Sequence, residues 1–183
     1  MSEISISVVK EAYGRVAYSH KTQEKAKEIN EFYAIIIKWV NVILVGATTL
    51  SAALNLFLTP DKVGIATTIL ACCSLMFIVA QLSFDPDGRA RMHKRCADKL
   101  WLIREQYINL LSDMSSGNIS DEETKKKRDQ ITFELSKIYD DALPAGGRAY
   151  KKARKALKID KELTFTSKEL EQLLPESLRI KKT

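Results

Sequence analysis

The chain of 183 residues lacks the short motifs that mark most enzyme and metal sites. It has no glycine-rich phosphate loop and no serine nucleophile elbow, and the acidic pair Asp140-Asp141 has no partnering base. Its two histidines, His20 and His93, favour surface or packing roles, because a metal site needs more ligands than these two. The sequence therefore predicts no catalytic residue, no cofactor and no metal, and an enzyme is the class it favours least.

Cysteine is scarce, and the three that occur are badly placed for cross-linking. Cys72 and Cys73 are neighbours that cannot easily pair on one helix, and Cys96 is too far along the chain to reach them. Their spacing does not suggest a metal site either. The cysteines agree with a reducing compartment.

Charge is missing from two stretches of 22 residues each, Trp39–Pro60 and Val63–Phe84, which only Asp61 and Lys62 separate. About 20 apolar residues cross the roughly 30 Å hydrocarbon core of a bilayer, so each stretch is long enough to span it. The short break leaves room only for a tight reversal, which predicts a transmembrane hairpin. The alternative is a pair of core helices in a large soluble protein. It is disfavoured because the rest of the chain is too short to bury two helices that are apolar all round.

Overall composition hides this pattern, since 45% hydrophobic and 28% charged residues are typical of a soluble protein. The basic residues instead gather on the two flanks of the hairpin, and only Lys62 lies at its tip. The flanking basic residues are Lys21, Lys25, Lys27 and Lys38 before the first span, and Arg89, Arg91, Lys94, Arg95, Lys99 and Arg104 after the second. The positive-inside bias predicts a multi-pass protein of the inner, cytoplasmic membrane with both termini in the cytoplasm. It leaves almost nothing outside for an extracellular receptor domain.

The chain divides into four predicted parts. Residues 1–38 form a cytoplasmic helix that leads into the membrane, 39–84 the hairpin, 85–160 a cytoplasmic helical region, and 161–183 a short helix and tail. On both flanks of the hairpin, seam residues recur in alternating steps of three and four, which is typical of helices that pack together as in a coiled coil. The first seam is Val9, Ala12, Val16, Ser19, Gln23, Ala26, Asn30, Tyr33 and Ile37, and the second is Cys96, Leu100, Ile103, Tyr107, Leu110 and Met114. The polar pair Ser19 and Gln23 predicts weak packing there, or a gap for another chain.

Helix start and stop signals continue through the rest of the chain. The segment 85–88 predicts a short break at the membrane exit, and Ser120 opens a capping box for a helix that folds back on 90–114 and ends before Pro144. A basic helix is predicted over about 148–159 and a capped one after Thr166. The predicted fold is all-α: a transmembrane helical hairpin continued by long cytoplasmic helices that pack as an antiparallel bundle.

Each span carries a stripe of polar and small side chains at helical spacing. The polar members are Asn41, Thr48, Ser51 and Asn55 on the first span and Thr67, Ser74 and Gln81 on the second. One interpretation is close packing between the two spans or between subunits, and this is the favoured one. The other is the lining of a pore, which requires an oligomer because one hairpin cannot enclose a water path. Without charge in either span, such a pore would have no charged selectivity filter and no proton relay.

A second candidate site is the basic segment near the end of the cytoplasmic region. Its cations are Arg148, Lys151, Lys152, Arg154, Lys155 and Lys158, with Ala149, Tyr150, Ala153, Ala156 and Leu157 sharing the other face. One interpretation is a solvated helix beside an acidic partner, and another is contact with anionic lipid of the inner leaflet. Nucleic acid is not an expected partner, since no base-reading motif accompanies the charge.

Several single residues, together with this architecture, resemble a known bacterial family. They are Arg15 and the run from Ala26 to Tyr33 before the first span, His93, Ala97 and Trp101 after the second, and Leu143-Pro144 followed by Tyr150 and Ala153. Over residues 5–160 the chain resembles the SLATT family, the SMODS- and SLOG-associating two-transmembrane effector domains. The resemblance implies a role in antiphage defence, with a pore opened when a separate nucleotide-signalling or nucleotide-sensing protein is triggered.

Two functional hypotheses follow. The first is an effector that forms a homo-oligomeric pore in membrane lipid and disrupts the membrane when activated. The second is a non-conducting membrane anchor or scaffold that recruits a soluble partner through its cytoplasmic helices.

Overall fold

The computed structural model describes residues 3–57, 61–175 and 179, and within them the fold is all-α with no strand. The helices in these ranges are α1 Glu3–Asn55, α2 Asp61–Phe84, α3 Pro86–Ser115, α4 Asp121–Asp140, α5 Gly146–Lys158 and α6 Ser167–Leu173. The fold class predicted from the sequence is confirmed.

Helices α1 and α2 pack against each other as the predicted hairpin, and residues 58–60 between them lie outside the described residues. Helix α1 runs without a break for 53 residues, about 80 Å at 1.5 Å per residue, and passes through the predicted boundary at residue 38. Two helical stretches, Ile6–Asn55 and Gly64–Ser115, are long and apolar enough to cross a membrane, and only 6% of the most apolar part of each is buried. Core helices of a soluble protein are mostly buried, so these helices fit lipid better than a protein interior.

The predicted break at the membrane exit is confirmed and is one residue long. Asp85 separates α2 from α3 and adopts the left-handed region, with φ of 30° and ψ of 65°. Its carboxylate accepts a hydrogen bond from the backbone N–H of Gly88 at 2.9 Å, and Pro86 starts α3. This approach is so close that a Cβ atom at residue 88 would collide with the Asp85 carboxylate, which explains the glycine.

Helix α3 packs against the N-terminal half of α1 and forms most of the hydrophobic core with it. The core comprises Val9, Val16, Cys96, Leu100, Ile103, Tyr107, Leu110, Met114, Ile119, Ile131 and Ile138. Both predicted seams lie in this interface along most of their length. Near the membrane the first seam departs from the prediction, since Tyr33 is 42% exposed and Ala34 is 3% exposed. Small residues at this level, Ala34 and Ala90, are the buried ones, which suits a close approach of the two helices.

The remaining helices lie on the outside of this pair. The capping box at Ser120 is confirmed, and α4 folds back on α3 through buried Ile131 and Ile138. Helix α5 packs on α1 through Ala149, Ala153 and Ala156, each at most 2% exposed. The capping box at Thr166 that starts α6 is also confirmed.

Candidate functional site

The polar side chains of the two spans face each other inside the hairpin. Asn41 donates from its amide to the Gln81 side-chain carbonyl, and the hydroxyl oxygens of Ser51 and Thr67 lie 2.6 Å apart. Those of Thr48 and Ser74 lie 3.3 Å apart. Near the tip, a Cβ atom at Gly64 would sit 3.6 Å from the Asn55 amide nitrogen, so Asn55 also points across the interface. We call these seven residues (41, 48, 51, 55, 67, 74 and 81) the polar seam.

The centre of the polar seam is weakly bonded across the interface. Thr48 also donates to the Leu44 carbonyl at 2.7 Å, and Ser74 to the Leu70 carbonyl at 2.9 Å. Each hydroxyl has one proton but can also accept, so a bond across the interface forms only when one of the two donates to the other instead of to its own helix. The seam is therefore only partly satisfied within the hairpin: little bonding ties the spans together at Thr48 and Ser74, and the side-chain oxygens of Asn41 and Asn55 are buried without a hydrogen-bond partner.

The outer faces of both spans are apolar and exposed. Residues such as Val42, Ile43, Leu50, Ile65, Leu75, Met76 and Leu82 are each more than 60% exposed. The polar residues Thr49, Thr68 and Ser83 on these exposed faces bond carbonyls of their own helix, as a lipid environment demands. In this conformation the polar seam lies between the spans of one chain, and a pore-lining role for it stays a prediction.

A salt bridge marks the edge of the hairpin that is nearest the helical bundle. Lys38 Nζ lies 3.0 Å from an Asp87 carboxylate oxygen, so the last charge before the first span pairs with a charge just after the second. The two side chains are 60% and 42% exposed, which limits what the pair adds to stability. Its value here is as a landmark for the depth of the membrane surface.

Further from the hairpin, in the bundle that α1 forms with α3, α4 and α5, Gln23 joins three elements. Its side-chain oxygen lies 2.6 Å from His93 Nδ1 on α3, and its amide donates to the Leu143 carbonyl between α4 and α5 at 3.2 Å. Gln23 is 8% exposed and His93 is 1% exposed. One turn away, the Tyr139 hydroxyl on α4 is 2.8 Å from the Ser19 hydroxyl. The gap predicted at Gln23 is therefore wrong, because other elements of the same chain occupy the space and bond its side chain. Ser19 bonds Tyr139 but also lines an open groove with it.

Both histidines are buried in this bundle. Burial lowers the pKa of His93, and the nearby Arg89 charge lowers it further. Burial also lowers the pKa of His20, where Glu24 acts in the opposite sense and Arg104 in the same sense. The structure places both side chains in the packing of α1 against α3, and the part of the chain that it describes brings no three potential metal ligands together.

The basic helix α5 crosses α1 with its small residues inward and its cations outward. Arg148, Lys151, Lys152, Arg154, Lys155 and Lys158 are all exposed. Arg148 donates to the Tyr33 hydroxyl at 3.1 Å, and the ring of Tyr150 lies 6.4 Å from that of Tyr18. The apolar face of the helix is taken up by α1, so any contact with lipid would be made by the charged face.

The chain beyond α5 is pinned to α1 by ion pairs. Glu162 approaches Lys21 at 2.5 Å and Lys25 at 3.5 Å. Burial opposes the charge of Lys21, but hydrogen bonds to Glu162 and Glu24 raise its pKa overall. The hydrogen bond from Lys21 lowers the pKa of Glu162 in turn.

Sequence patterns missed the contacts that join distant elements. Nothing in the spacing indicates that Arg148 meets Tyr33, or that Glu162 meets Lys21, because both depend on how α5 crosses α1. The bond between Gln23 and His93 had a signal, since both are polar residues in a stretch that otherwise predicts helix packing. A polar residue at a seam position implies a partner as readily as a gap.

No curated protein and no solved structure matches the chain. One family model matches it, over residues 6–169, which include α2 to α5 and nearly all of α1. A domain with two membrane spans agrees with the apolar, lipid-exposed pair that the structure shows, so the chain is a membrane protein. It belongs to family 4 of the SMODS and SLOG-associating 2TM effector domains.

Proposed function

We propose that this chain is a bacterial membrane effector of a nucleotide-signal-linked antiphage defence system. When a separate nucleotide-signalling or nucleotide-sensing protein activates it, copies of the chain assemble into a pore and disrupt the inner membrane. Both termini lie in the cytoplasm, where that partner acts, and the chain itself carries out no catalytic reaction. Membership of an effector family associated with SMODS and SLOG supports the defence context.

The observation that carries the pore proposal is the position of the polar seam. Seven polar side chains, of which Ser74 is buried and the others half-buried, lie between two spans whose outer faces are apolar. A single hairpin encloses no water path, so conduction requires several copies. The seam is the largest polar surface in the spans that a rearrangement could turn toward a lumen. Opening then means moving the seam from the inside of each hairpin to the inside of a ring.

The energy of this rearrangement is within reach of a protein partner. Hydrogen bonds between membrane helices contribute on average about 0.6 kcal/mol each, so three pairs hold the hairpin by about 2 kcal/mol. Shifting a two-state equilibrium from 1:99 to 99:1 requires about 5.5 kcal/mol of differential binding. A partner that binds the open arrangement of the cytoplasmic helices with that preference is sufficient. The pore would be weakly selective and gated by apolar constriction, since neither span carries a charge.

The anchor or scaffold remains the second candidate, and the same geometry favours it in one respect. A hairpin whose polar side chains face each other and whose outer faces are apolar is a self-contained membrane anchor. It would recruit a soluble partner through the cytoplasmic helices without conducting. The two functions differ in whether the spans must separate.

A reversible disulfide between the spans tests this difference. The Ser51 and Thr67 hydroxyl oxygens are 2.6 Å apart, which places cysteine sulfurs at these positions within reach of each other. The variant combines Ser51→Cys and Thr67→Cys in a chain whose native Cys72, Cys73 and Cys96 are alanine. The matched control keeps only Ser51→Cys.

Cells that carry the chain with its neighbouring genes are infected with phage while a potential-sensitive dye reports the membrane potential. We expect the unlocked chain to depolarise the membrane, the oxidised double cysteine variant to prevent this, and reduction to restore it. The single cysteine control should depolarise under all conditions. Membranes that stay polarised with the unlocked chain under full activation refute the pore. Protection of the cells against phage that persists with the locked variant supports the anchor.

A further inference from the structure

The surface where α5 crosses α1 forms a cleft that the pore proposal does not use. It has a volume of about 370 Å³ and is lined by Ile29, Phe32 and Tyr33 of α1 and by Arg148, Lys151 and Lys152 of α5. We call it the α1–α5 cleft. One wall is apolar and aromatic, the other carries three cations, and no acidic side chain is among the described residues that line it.

The contacts of α5 show which of its flanks faces the membrane. Arg148 reaches Tyr33, whereas Tyr150 contacts Tyr18. Tyr33 is 15 residues further along α1 toward the first span, about 22 Å at 1.5 Å per residue. Residues two positions apart in sequence point about 200° apart around a helix. The side chains of Arg148 and Tyr150 therefore leave α5 on opposite flanks. The flank of Arg148 therefore faces the membrane, and that of Tyr150 faces away.

This geometry separates the cations that the sequence grouped together. Arg154 follows Tyr150 by four residues and so lies on the flank that faces away from the membrane. Lys155 and Lys158 lie further along α5 and do not line the cleft. Half of the predicted lipid-contact residues thus converge on one site, and the other half do not.

The cleft also lies at the depth of the lipid headgroups. The salt bridge between Lys38 and Asp87 marks the edge of the hydrocarbon core, and Tyr33 is five residues, about 7 Å, on the cytoplasmic side of it. The headgroup layer of each leaflet is about 5–7 Å thick. Phe32 and Trp39 are 61% and 64% exposed around this level, as expected of aromatic side chains at a membrane interface.

The distribution of charge on the two sides of α5 supports the same conclusion. Away from the membrane, Lys21 and Lys25 are neutralised by Glu162. On the membrane side, the cations of the cleft face outward with only the Tyr33 hydroxyl as a described polar neighbour. Cations left unpaired at headgroup depth complement the phosphate of an anionic lipid.

We propose that the α1–α5 cleft binds the phosphate group of an anionic phospholipid in the cytoplasmic leaflet. Arg148, Lys151 and Lys152 donate to the phosphate oxygens, and Ile29, Phe32 and Tyr33 contact the apolar part of the lipid nearest the headgroup. This site needs the chain to be in the membrane with α5 on the cytoplasmic side. It does not depend on whether the spans conduct.

Purified full-length protein in a zwitterionic or uncharged detergent tests the site with phosphatidylglycerol as the probe. Lipid retention by native mass spectrometry and thermal unfolding by tryptophan fluorescence are measured as phosphatidylglycerol is added. The site variant is Arg148→Gln, Lys151→Gln and Lys152→Gln together. The matched control is Arg154→Gln with Lys125→Gln and Lys126→Gln, which also removes one arginine and two lysines but leaves the cleft intact.

We expect the site variant to bind phosphatidylglycerol about 100-fold more weakly than the unchanged chain, and the control to stay within about threefold. Phosphatidylcholine should stabilise none of the three. Unfolding without lipid shows whether each variant is folded, and all six substituted residues are exposed.

Three results would overturn the proposal. The first is an equal loss of phosphatidylglycerol binding in the control variant, which would indicate general charge attraction. The second is a site variant that binds as the unchanged chain does. The third is the same stabilisation by millimolar inorganic phosphate as by phosphatidylglycerol, which would assign the cleft to a soluble anion rather than a lipid.

Discussion

Helix α1 belongs to two regions of the molecule whose interiors have opposite polarity. In the helical bundle outside the hairpin its buried side is apolar, with Val9 and Val16 each 1% exposed against α3. In the hairpin the side that faces α2 is polar, with Asn41 and Thr48 bonded or close to partners on that helix. The exposed side changes in the opposite sense, from charged to apolar. The part of α1 that water surrounds therefore packs by burying apolar side chains, and the part that lipid surrounds packs by pairing polar ones.

The spacing of a helical seam determines which residues face inward, but not whether those residues are polar or apolar. Inward residues recur in steps of three and four in both regions, yet the residues that occupy them follow the solvent outside. Burial of apolar area stabilises only the region that water surrounds, because lipid tails are as apolar as leucine. The two regions should therefore respond differently to the same substitution.

The largest expected contrast comes from replacing leucine by alanine in each region. Leu100→Ala empties space at a core residue that is 0% exposed and should lower the free energy of unfolding by about 2–5 kcal/mol. Leu75→Ala, at a lipid-facing residue that is 64% exposed, should change it by less than about 0.5 kcal/mol. Thermal unfolding in detergent compares the two variants, and equal losses would contradict the comparison.

The second contrast concerns buried polar groups. Gln23→Leu leaves His93 Nδ1 and the Leu143 carbonyl without their partner and should cost about 1–3 kcal/mol. Asn41→Leu removes one bond between the spans and should cost about 0.6 kcal/mol. Hydrogen exchange of α3 and α2 amides locates each loss, and a larger effect of the hairpin variant would reverse the expected order.

Acid should weaken the bundle and spare the hairpin. The folded pKa values of His20 and His93 lie below the unfolded value of about 6.5, so the unfolded chain binds protons first as pH falls. Their contribution is fully present above about pH 6.5 and is lost below it, by at most about 1.4 kcal/mol per pH unit for each histidine.

Lys21 and Glu162, which lie near His20 in the bundle, change their protonation outside this pH range. Lys21, whose pKa is raised, stays charged throughout this range. Glu162, whose pKa is lowered, contributes stability that is lost only at more acidic pH. Unfolding measured from pH 7.5 to 5.5 should show the change, and His93→Gln should reduce its slope. A slope unchanged in that variant would assign the effect elsewhere.

The smallest effect is expected at the border between the regions. Lys38→Met breaks an exposed pair with Asp87 and should change the unfolding free energy by about 0–1 kcal/mol. Asp87→Asn serves as the matched variant on the other helix. A loss well above this range from either would show that the pair holds the two spans together rather than only marking the membrane surface.

The helices could be predicted from the sequence, but the way in which they cross one another could not. Uncharged length predicted the spans, and Ser120 and Thr166 predicted where two helices begin, because these signals are local. The polar residues of the spans were found from helical spacing, but spacing alone did not decide between packing and a lumen. The contacts at Gln23, Tyr33 and Glu162 were not predicted, since each joins residues more than 60 positions apart through the packing of separate helices.

The two routes from bundle to bilayer differ in stiffness. Helix α1 enters the first span as an unbroken rod, whereas α2 and α3 meet at the single left-handed residue Asp85. When the bundle leans, the first span must lean with it, and the second is free to swivel about that joint. A lean of 5° carries the far end of a 22-residue span about 3 Å sideways. Such a lever would transmit a movement of the bundle to one wall of the hairpin more directly than to the other.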